Sequence, residues 1–358
     1  MTAAADRMMT SLNQPFPLEG NTFVVRASVG ITFVDDEFAA RSVDELLRDA
    51  DLAMYTAKGR GKNRYELFEP QMHMSAVERL RMTGELWRAI EHEEFRIHYQ
   101  PIFSIASGAV AGMEALLRWQ HPERGLLAPV EFIELAEDTA AIVPIGRWVL
   151  EQACRDAREL QLRYPREPPL SVCVNLSARQ LERAAFVGEV QETLNASGLP
   201  AESLVLELTE SVMMTDMNVS IVRLEELKSL GLRLAIDDFG TGFSSLDYVR
   251  RLPVDILKVD RSFVADLADG EQSRLVTESI IALADSLGLV TVAEGVENAE
   301  QLTRLRGLGS EFGQGFYLGK PVPRDAIEHL LGQAQLSEHD ERPVHDPNND
   351  FTAAHTAA

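Results

Sequence analysis

The chain has 358 residues, long enough for two domains, with 45% hydrophobic and 25% charged residues, an ordinary globular composition. Against 34 Lys and Arg stand 56 Asp and Glu, a formal net charge of -22. That balance disfavours duplex nucleic acid or an anionic membrane as a surface partner, because phosphate-dominated binding needs a basic patch. It leaves open a small anionic ligand held through metal ions. Cys154 and Cys173 lie in apolar-patterned segments with no metal-type spacing, and are expected to be reduced core residues of a cytoplasmic protein. No uninterrupted apolar run is long enough to span a bilayer, and no signal peptide is visible.

In chain order, "ADRMMTSLNQPFPLEG" predicts a helix end and a Pro-broken turn, and "NTFVVRASVGITFVD" a β-branched strand region. A helix capped by Ser42 follows, with Leu46, Leu47, Ala50, Met54 and Ala57 at helical spacing and a stop at Gly59 and Gly61. This small α+β unit, residues 1–70, is too short to close a typical core alone. A helix-like stretch from about Met72 to Glu94 leads onward, with residues 71–79 as its connecting start. Strands are then predicted at Phe95–Ile102, Val110–Trp119, Leu170–Leu176, Leu204–Leu208, Leu232–Asp237, Asp255–Val259, Leu289–Ala293 and Glu311–Phe316. Helices are predicted between them at Val130–Ala136, Pro144–Leu162, Ala178–Asn195, Val219–Leu230, Ser244–Arg251, Ser273–Leu287 and Ala299–Leu305, with a last one at Arg324–Leu331. Such alternation implies a parallel sheet, and the count fits a (β/α)8 TIM-like barrel over residues 80–336. Only "SIASGA" separates the first two strands, so one strand must run antiparallel. The polar tail, residues 337–358, is expected to be disordered.

Nearly every apolar strand ends in a carboxylate, an amide or a lysine. Glu114 closes "VAGMEALLRW", Asn175 "LSVCVNLS", Glu207 and Glu210 "LVLELTE", and Asp237 and Asp238 "LRLAIDD". Lys258 and Asp260 close "DILKVD", Glu294 and Glu297 close "VTVAEGVE", and Gln314 follows in "FGQGFY". Any one of these is ordinary; Asp237 or Asn175 alone reads as a helix cap. Repeated at the same end of successive strands, they form the rim of a barrel active site. Carboxylates gathered there repel one another unless divalent cations neutralise them.

The ordered motifs "YQPI", "EALLRWQHP", "NLS", "ELTES", "DDFGTGFSSL", "ILKVDRSFV", "AEGVE" and "GQGFYLGKP" resemble an EAL domain, the bacterial family that hydrolyses cyclic di-GMP. "SVGITFV" with "ELLRDADLAMYTAKGRGKNRYELF" resembles the C-terminal half of a GGDEF domain, the module that makes cyclic di-GMP. The GGDEF signature itself is absent from this sequence, so the N-terminal segment is expected not to synthesise the dinucleotide. The EAL resemblance implies hydrolysis to linear pGpG by two divalent cations, Mg²⁺ or Mn²⁺, with Ca²⁺ inhibitory. It implies that Glu114, Asn175, Glu207 and Asp237 hold one ion and that Asp237 bridges to a second, helped by Asp238 and Glu294, with Asp260 a further candidate. Lys258 is placed near the attacking water or phosphate, and Glu294 is the family's candidate general base. Arg118 is implied to fork onto a substrate phosphate, the alternative being a salt bridge to a nearby carboxylate. Gln100 and Gln314 are implied to contact guanine or phosphate. Glu210 and Glu297 are expected to fix loops and ligands. Gly240, Thr241 and Gly242 belong to a loop expected to couple the site to a homodimer interface. His98 and His121 are read as packing or surface residues. Glu134 and Ala140 stand where relatives commonly carry Pro and Gly. The rival reading is a catalytically silent cyclic di-GMP receptor acting through a protein partner; that class usually loses metal ligands, and this chain keeps them.

Overall fold

The computed structural model describes residues 3–18, 21–23, 26–33, 42–59, 61, 63–69, 71–209, 217–240, 250–265, 267 and 271–340. The chain divides into two compact units, Met1–Arg88 and Ala89–Ala358, so the boundary falls inside the helix Gln71–Glu91.

The first unit holds a short hairpin of β1 (Phe16–Leu18) and β2 (Asn21–Phe23), and a parallel pair of β3 (Val29–Ile31) and β4 (Tyr65–Leu67). The helix Val43–Gly59 packs on that pair. Its start is a capping box, in which the Glu45 N–H donates to Ser42 Oγ and the Ser42 N–H donates to the Glu45 carboxylate at 2.7 Å. Gly30 lets the strand lie against this helix, since a Cβ there would stand 1.9 Å from the Ala50 carbonyl oxygen.

The second unit is a closed barrel. Its eight strands are β5 (Phe95–Ser104), β6 (Val110–His121), β8 (Ser171–Asn175), β9 (Leu204–Thr209), β10 (Arg233–Phe239), β11 (Ile256–Val259), β12 (Val290–Ala293) and β13 (Phe312–Gly313). β6 through β13 pair in parallel around the barrel, and β5 closes it by running antiparallel to both β6 and β13. This is the single reversed strand that the short β5–β6 connection requires. β7 (Gly125–Leu127) and β14 (Val322–Pro323) extend the edges of β6 and β5. Ile102, Cys173, Val205, Ala235, Ile256 and Val292, one from each of six strands, fill the barrel interior. Burying a Val or Ile there contributes about 1.5–3 kcal/mol.

Three elements differ from expectation. The helix expected over Ala178–Asn195 is two, Ala178–Leu181 and Phe186–Ser197. Leu181 and Phe186, five residues apart, would lie about 140° apart on one continuous helix; the break turns both inward, at 3% and 2% exposure. β13 stops at Gly313 because the chain turns at Gly315, which packs so tightly on the Val296 backbone that a Cβ would lie 2.2 Å from it. The last helix runs on to Asp340, into the start of the expected tail, while most of the predicted helix Ser244–Arg251 lies outside the described residues.

Ala140 adopts φ 59°, a left-handed conformation just past the helix Ile133–Asp138. Glycine is the residue that takes this position without strain. Ala140→Gly should therefore raise stability by about 0.5–1 kcal/mol, read as a higher urea midpoint at unchanged slope. An unchanged or lower midpoint would contradict the backbone assignment.

Candidate active site

Side chains alternate along a strand, so residues two apart share a face. Each apolar residue filling the barrel is followed two positions on by a polar one at the mouth: Cys173 by Asn175, Val205 by Glu207, Ala235 by Asp237, Ile256 by Lys258 and Val292 by Glu294. On the reversed β5 the order inverts, and Gln100 precedes Ile102, lying opposite Glu114 in register. One period-2 pattern thus builds a packed layer and a functional layer above it.

Lys258 is the centre of that layer, 1% exposed. Its Nζ lies 2.7 Å from Glu294 Oε1, 2.8 Å from Glu207 Oε2, 3.0 Å from Asp237 Oδ1 and 3.6 Å from Glu114 Oε2. Burial opposes the ammonium charge, but the four carboxylates overcome it and hold Lys258 well above the usual lysine range. Burial pushes Glu207 far up despite Lys258, and pushes Glu294 up to about 7. Glu114 is held by two amides: Asn175 Nδ2 donates to its Oε1 at 2.7 Å, and Gln314 Nε2 donates to its Oε2 at 2.7 Å. Gln314 also donates to Gln100 Oε1 at 3.0 Å, and Gln100 donates to the Gly319 carbonyl at 2.9 Å.

Asp237 and Asp238 are consecutive, and simple alternation would send them to opposite faces. The β10–β11 register shifts between Ile236 and Phe239, and Asp238 takes φ 53°, so a bulge re-aims the pair. Ligand oxygens of Asp237, Asp238 and Glu294 then fall within 4.8 Å of one another. Burial, then Asp237 and Asp260, raise Asp238 to about 6. Asp260 is pulled the other way: burial is outweighed by hydrogen bonds from the Ser262 hydroxyl and N–H, and its carboxyl falls below the usual range. Two residues beyond Asp238, Gly240 adopts φ 96°, and a Cβ there would stand 2.7 Å from the Phe263 ring.

These residues fit divalent cations. The donors are hard carboxylate and amide oxygens, and one ammonium faces four carboxylates, leaving excess negative charge. The Gln314 Oε1 is buried and has no partner among the described residues. The mouth opens as a cavity of about 260 Å³ lined by Gln100, Glu114, Asp237, Glu294, Glu297 and Gln314. Arg261, Gly295, Gly315 and Phe316 complete its wall. The sequence reading did not single out these four; Arg261 beside Asp260, and the aromatic in "GQGFY", were the available signals. Arg118 is half-buried, and its guanidinium donates to the Leu117 carbonyl at 2.8 Å and joins no ion pair among the described residues. Glu210, Thr241 and Gly242 lie outside the described residues. Cys154 and Cys173 are buried, with both thiols pushed up by burial, Cys154 to about 12. No helix among the described residues is long and apolar enough to cross a membrane.

The raised acids make the metal-free protein pH-sensitive. Glu294 and Asp238 keep protons in the folded state at a pH where the unfolded chain has released them. Stability is therefore lost as pH rises from about 4.5 to about 7, on the order of 3 kcal/mol from Glu294. In chelator, the Tm of the parent should fall across that window about 5 °C more than the Tm of Glu294→Gln. Equal slopes in the two proteins would refute the assignment.

The fold and site together define a TIM-like barrel with a carboxylate-lined mouth suited to divalent cations. Residues 83–321 match the EAL domain family, and the chain belongs to it. Residues 1–64 match the diguanylate cyclase GGDEF domain family. The chain is 42% identical over 327 residues to the cyclic di-GMP phosphodiesterase NbdA of Pseudomonas aeruginosa, covering 91% of this chain and 41% of that protein. It is 41% identical to MucR of the same organism, a bifunctional diguanylate cyclase/cyclic di-GMP phosphodiesterase, covering 90% of this chain and 47% of that protein. The chain thus spans less than half the length of either relative. Among solved structures, the MucR phosphodiesterase in complex with cyclic di-GMP matches at TM-score 0.66 and 43% identity, covering 69% of this chain and 99% of that one. The EAL enzyme Bd1971, bound to cAMP and cyclic di-GMP, matches at TM-score 0.70 and 32% identity, covering 82% and 77%.

Proposed function

We propose that this chain hydrolyses cyclic di-GMP to linear pGpG with Mg²⁺ or Mn²⁺. The observation that carries this reading is the layer of Glu114, Glu207, Asp237 and Glu294 around buried Lys258, in a family whose relatives are named for that activity. Glu114, Asn175, Glu207, Asp237, Asp238, Asp260 and Glu294 would hold two cations. When bound, these supply charge neutralisation at the phosphoryl oxygens and acidify water. Lys258 keeps its proton and steadies negative charge as it builds at phosphorus. Glu294, 2.7 Å from Lys258 on the floor, is the base that would take a proton from the attacking water. Gln314 donates to Glu114 and to Gln100, the two glutamines present amides to the ligand, and exposed Phe316 offers a face on which a guanine stacks. A homodimer coupled to the site through the loop carrying Gly240 and Thr241 belongs to the same proposal, as does inhibition by Ca²⁺, a larger ion with looser geometry.

The test is turnover of purified protein with cyclic di-GMP and Mg²⁺ or Mn²⁺, resolved by chromatography. Linear pGpG with metal, and none after chelation, is the expected result. Tight binding without product would replace the hydrolase with a receptor. Equal turnover of cyclic di-AMP would shift the reading to a less selective phosphodiesterase.

A further inference from the structure

The helix Ile142–Arg163, on the outside of the barrel, carries a buried carboxylate that the chemistry above does not use: Asp156, 4% exposed. Both of its oxygens are occupied. Oδ2 accepts from the Tyr99 hydroxyl at 2.6 Å; Oδ1 accepts from Gln152 Nε2 at 2.9 Å and from Arg324 Nη1 at 3.0 Å. Gln152 lies one turn earlier on the same helix, but Tyr99 and Arg324 come from two other elements. Tyr99 is a fully buried residue of β5, and Arg324 opens the last helix directly after β14. β5 and β14 pair at two positions, Tyr99 with Val322 and His98 with Pro323. Pro323 brings no N–H to that pairing. One carboxylate therefore grips both strands of a pair whose own backbone hold is short. Contacts further along strengthen the grip: Arg324 also pairs with Glu159, and Glu328 in the last helix pairs with Arg163 and accepts from the Tyr164 hydroxyl at 3.4 Å.

What this grip holds is one wall of the mouth. Neighbours along a strand face opposite sides, so while Tyr99 points to the outer helix, Gln100 points into the mouth. Gln100 donates to the Gly319 carbonyl at 2.9 Å. Gly319 packs so closely on β5 that a Cβ there would stand 2.5 Å from Pro101 Cγ. Residues 315–321, which carry Phe316 and Gly319, run from the end of β13 to β14, and the ion pair secures the β14 end. Gln314 is anchored separately, its N–H on the Ala293 carbonyl at 2.8 Å, so the amide that holds Glu114 does not depend on the grip. A buried ion pair adds little stability over apolar groups of the same shape; what it supplies here is one fixed geometry. We propose that Asp156 and Arg324 are positioning residues: by clamping β14 to β5 behind the mouth, they fix Gln100 and Gly319, and the turn that carries Phe316, where cyclic di-GMP is held. This rests on the functional reading above. Neither residue touches the ligand. The carboxylate floor stands on β6 and β8 to β12, so the clamp governs binding and leaves bond cleavage to the floor.

The experiment compares the parent with Arg324→Met, Arg324→Lys and the double variant Asp156→Asn with Arg324→Met, on cyclic di-GMP and on bis(p-nitrophenyl) phosphate, a single diester with no guanine for the wall to hold. Arg324→Met should raise KM for cyclic di-GMP about fivefold, the effect of one hydrogen bond, with kcat and the activity on the small diester within about twofold of the parent. Arg324→Lys keeps a charge for Asp156 and should keep KM near the parent value. The double variant no longer buries an unpaired charge, so its Tm should recover toward the parent while its KM stays raised. That split separates positioning from stability, and it decides the matter alone should Arg324→Met fail to fold. Arg147→Ala, which breaks an exposed ion pair with Glu151 on the same helix, should leave KM unchanged. An unchanged KM in Arg324→Met overturns the clamp. So does an equal loss on both substrates, a KM as high in Arg324→Lys as in Arg324→Met, or a double variant whose KM recovers together with its Tm. A parent that binds cyclic di-GMP without hydrolysing it overturns the hydrolase alone, and the Kd for fluorescent cyclic di-GMP in Ca²⁺ then replaces KM in the same comparison. A parent that neither binds nor hydrolyses it overturns both.

Discussion

Lys258→Met should be the most damaging single substitution at the barrel mouth when metal is absent. The ammonium is 1% exposed and within 3.0 Å of Glu207, Asp237 and Glu294. Removing it leaves buried carboxylates facing one another without a counterion. Breaking a buried pair from one side costs about 3–5 kcal/mol, and in a unit of this size that lowers Tm by about 10 °C. Glu207, already pushed up by burial and held partly in check by Lys258, would then be pushed up further. Divalent cations offer the same carboxylates another counter-charge. Mn²⁺ should therefore recover more stability in the variant than it adds to the parent. Hydrolysis should nonetheless fall by about 10²–10³, the usual loss when a donor to developing charge is removed. The check is a pair of melting curves, in chelator and in Mn²⁺, beside turnover. A variant as stable as the parent in chelator would show that the lysine charge is not what holds the floor together.

Much of this floor is legible in the sequence, for a plain physical reason. The triplets C-V-N, V-L-E, A-I-D, I-L-K and V-A-E, ending at Asn175, Glu207, Asp237, Lys258 and Glu294, are the period-2 signature of a strand whose inner face changes from apolar to polar at one end. Gln100 comes to lie opposite Glu114 only through a register shift between Ile102 and Phe103, which the sequence does not mark. What periodicity cannot encode is a departure from it. Asp238 belongs to the site only because a bulge and a left-handed φ turn it there. Arg261, Gly295, Gly315 and Phe316 reach the cavity from segments beyond strand ends, where no repeat reports which way a residue faces. The helix break between Leu181 and Phe186 has no Gly or Pro to mark it; it exists because two bulky residues both need the core.

Glu114→Ala and Glu114→Gln should both abolish hydrolysis, by at least about 10³, yet differ in stability. The carboxylate of Glu114 accepts from Asn175 and Gln314, each at 2.7 Å, while contributing charge beside Lys258 at 3.6 Å. Glutamine keeps the length of the side chain and one acceptor oxygen, so the Asn175 or the Gln314 bond survives; alanine loses both. Leaving a buried donor short of an acceptor costs about 1–3 kcal/mol; Gln314 is buried whereas Asn175 is exposed to water, so the alanine variant should melt a few degrees below the glutamine variant in chelator. In Mg²⁺ or Mn²⁺ the two should be equally inactive, because each lacks the anionic oxygen a cation needs at that corner of the floor. Should Glu114→Gln retain substantial turnover, the role of Glu114 would be to position Asn175 and Gln314, and the cation set would have to be rebuilt from Glu207, Asp237 and Glu294.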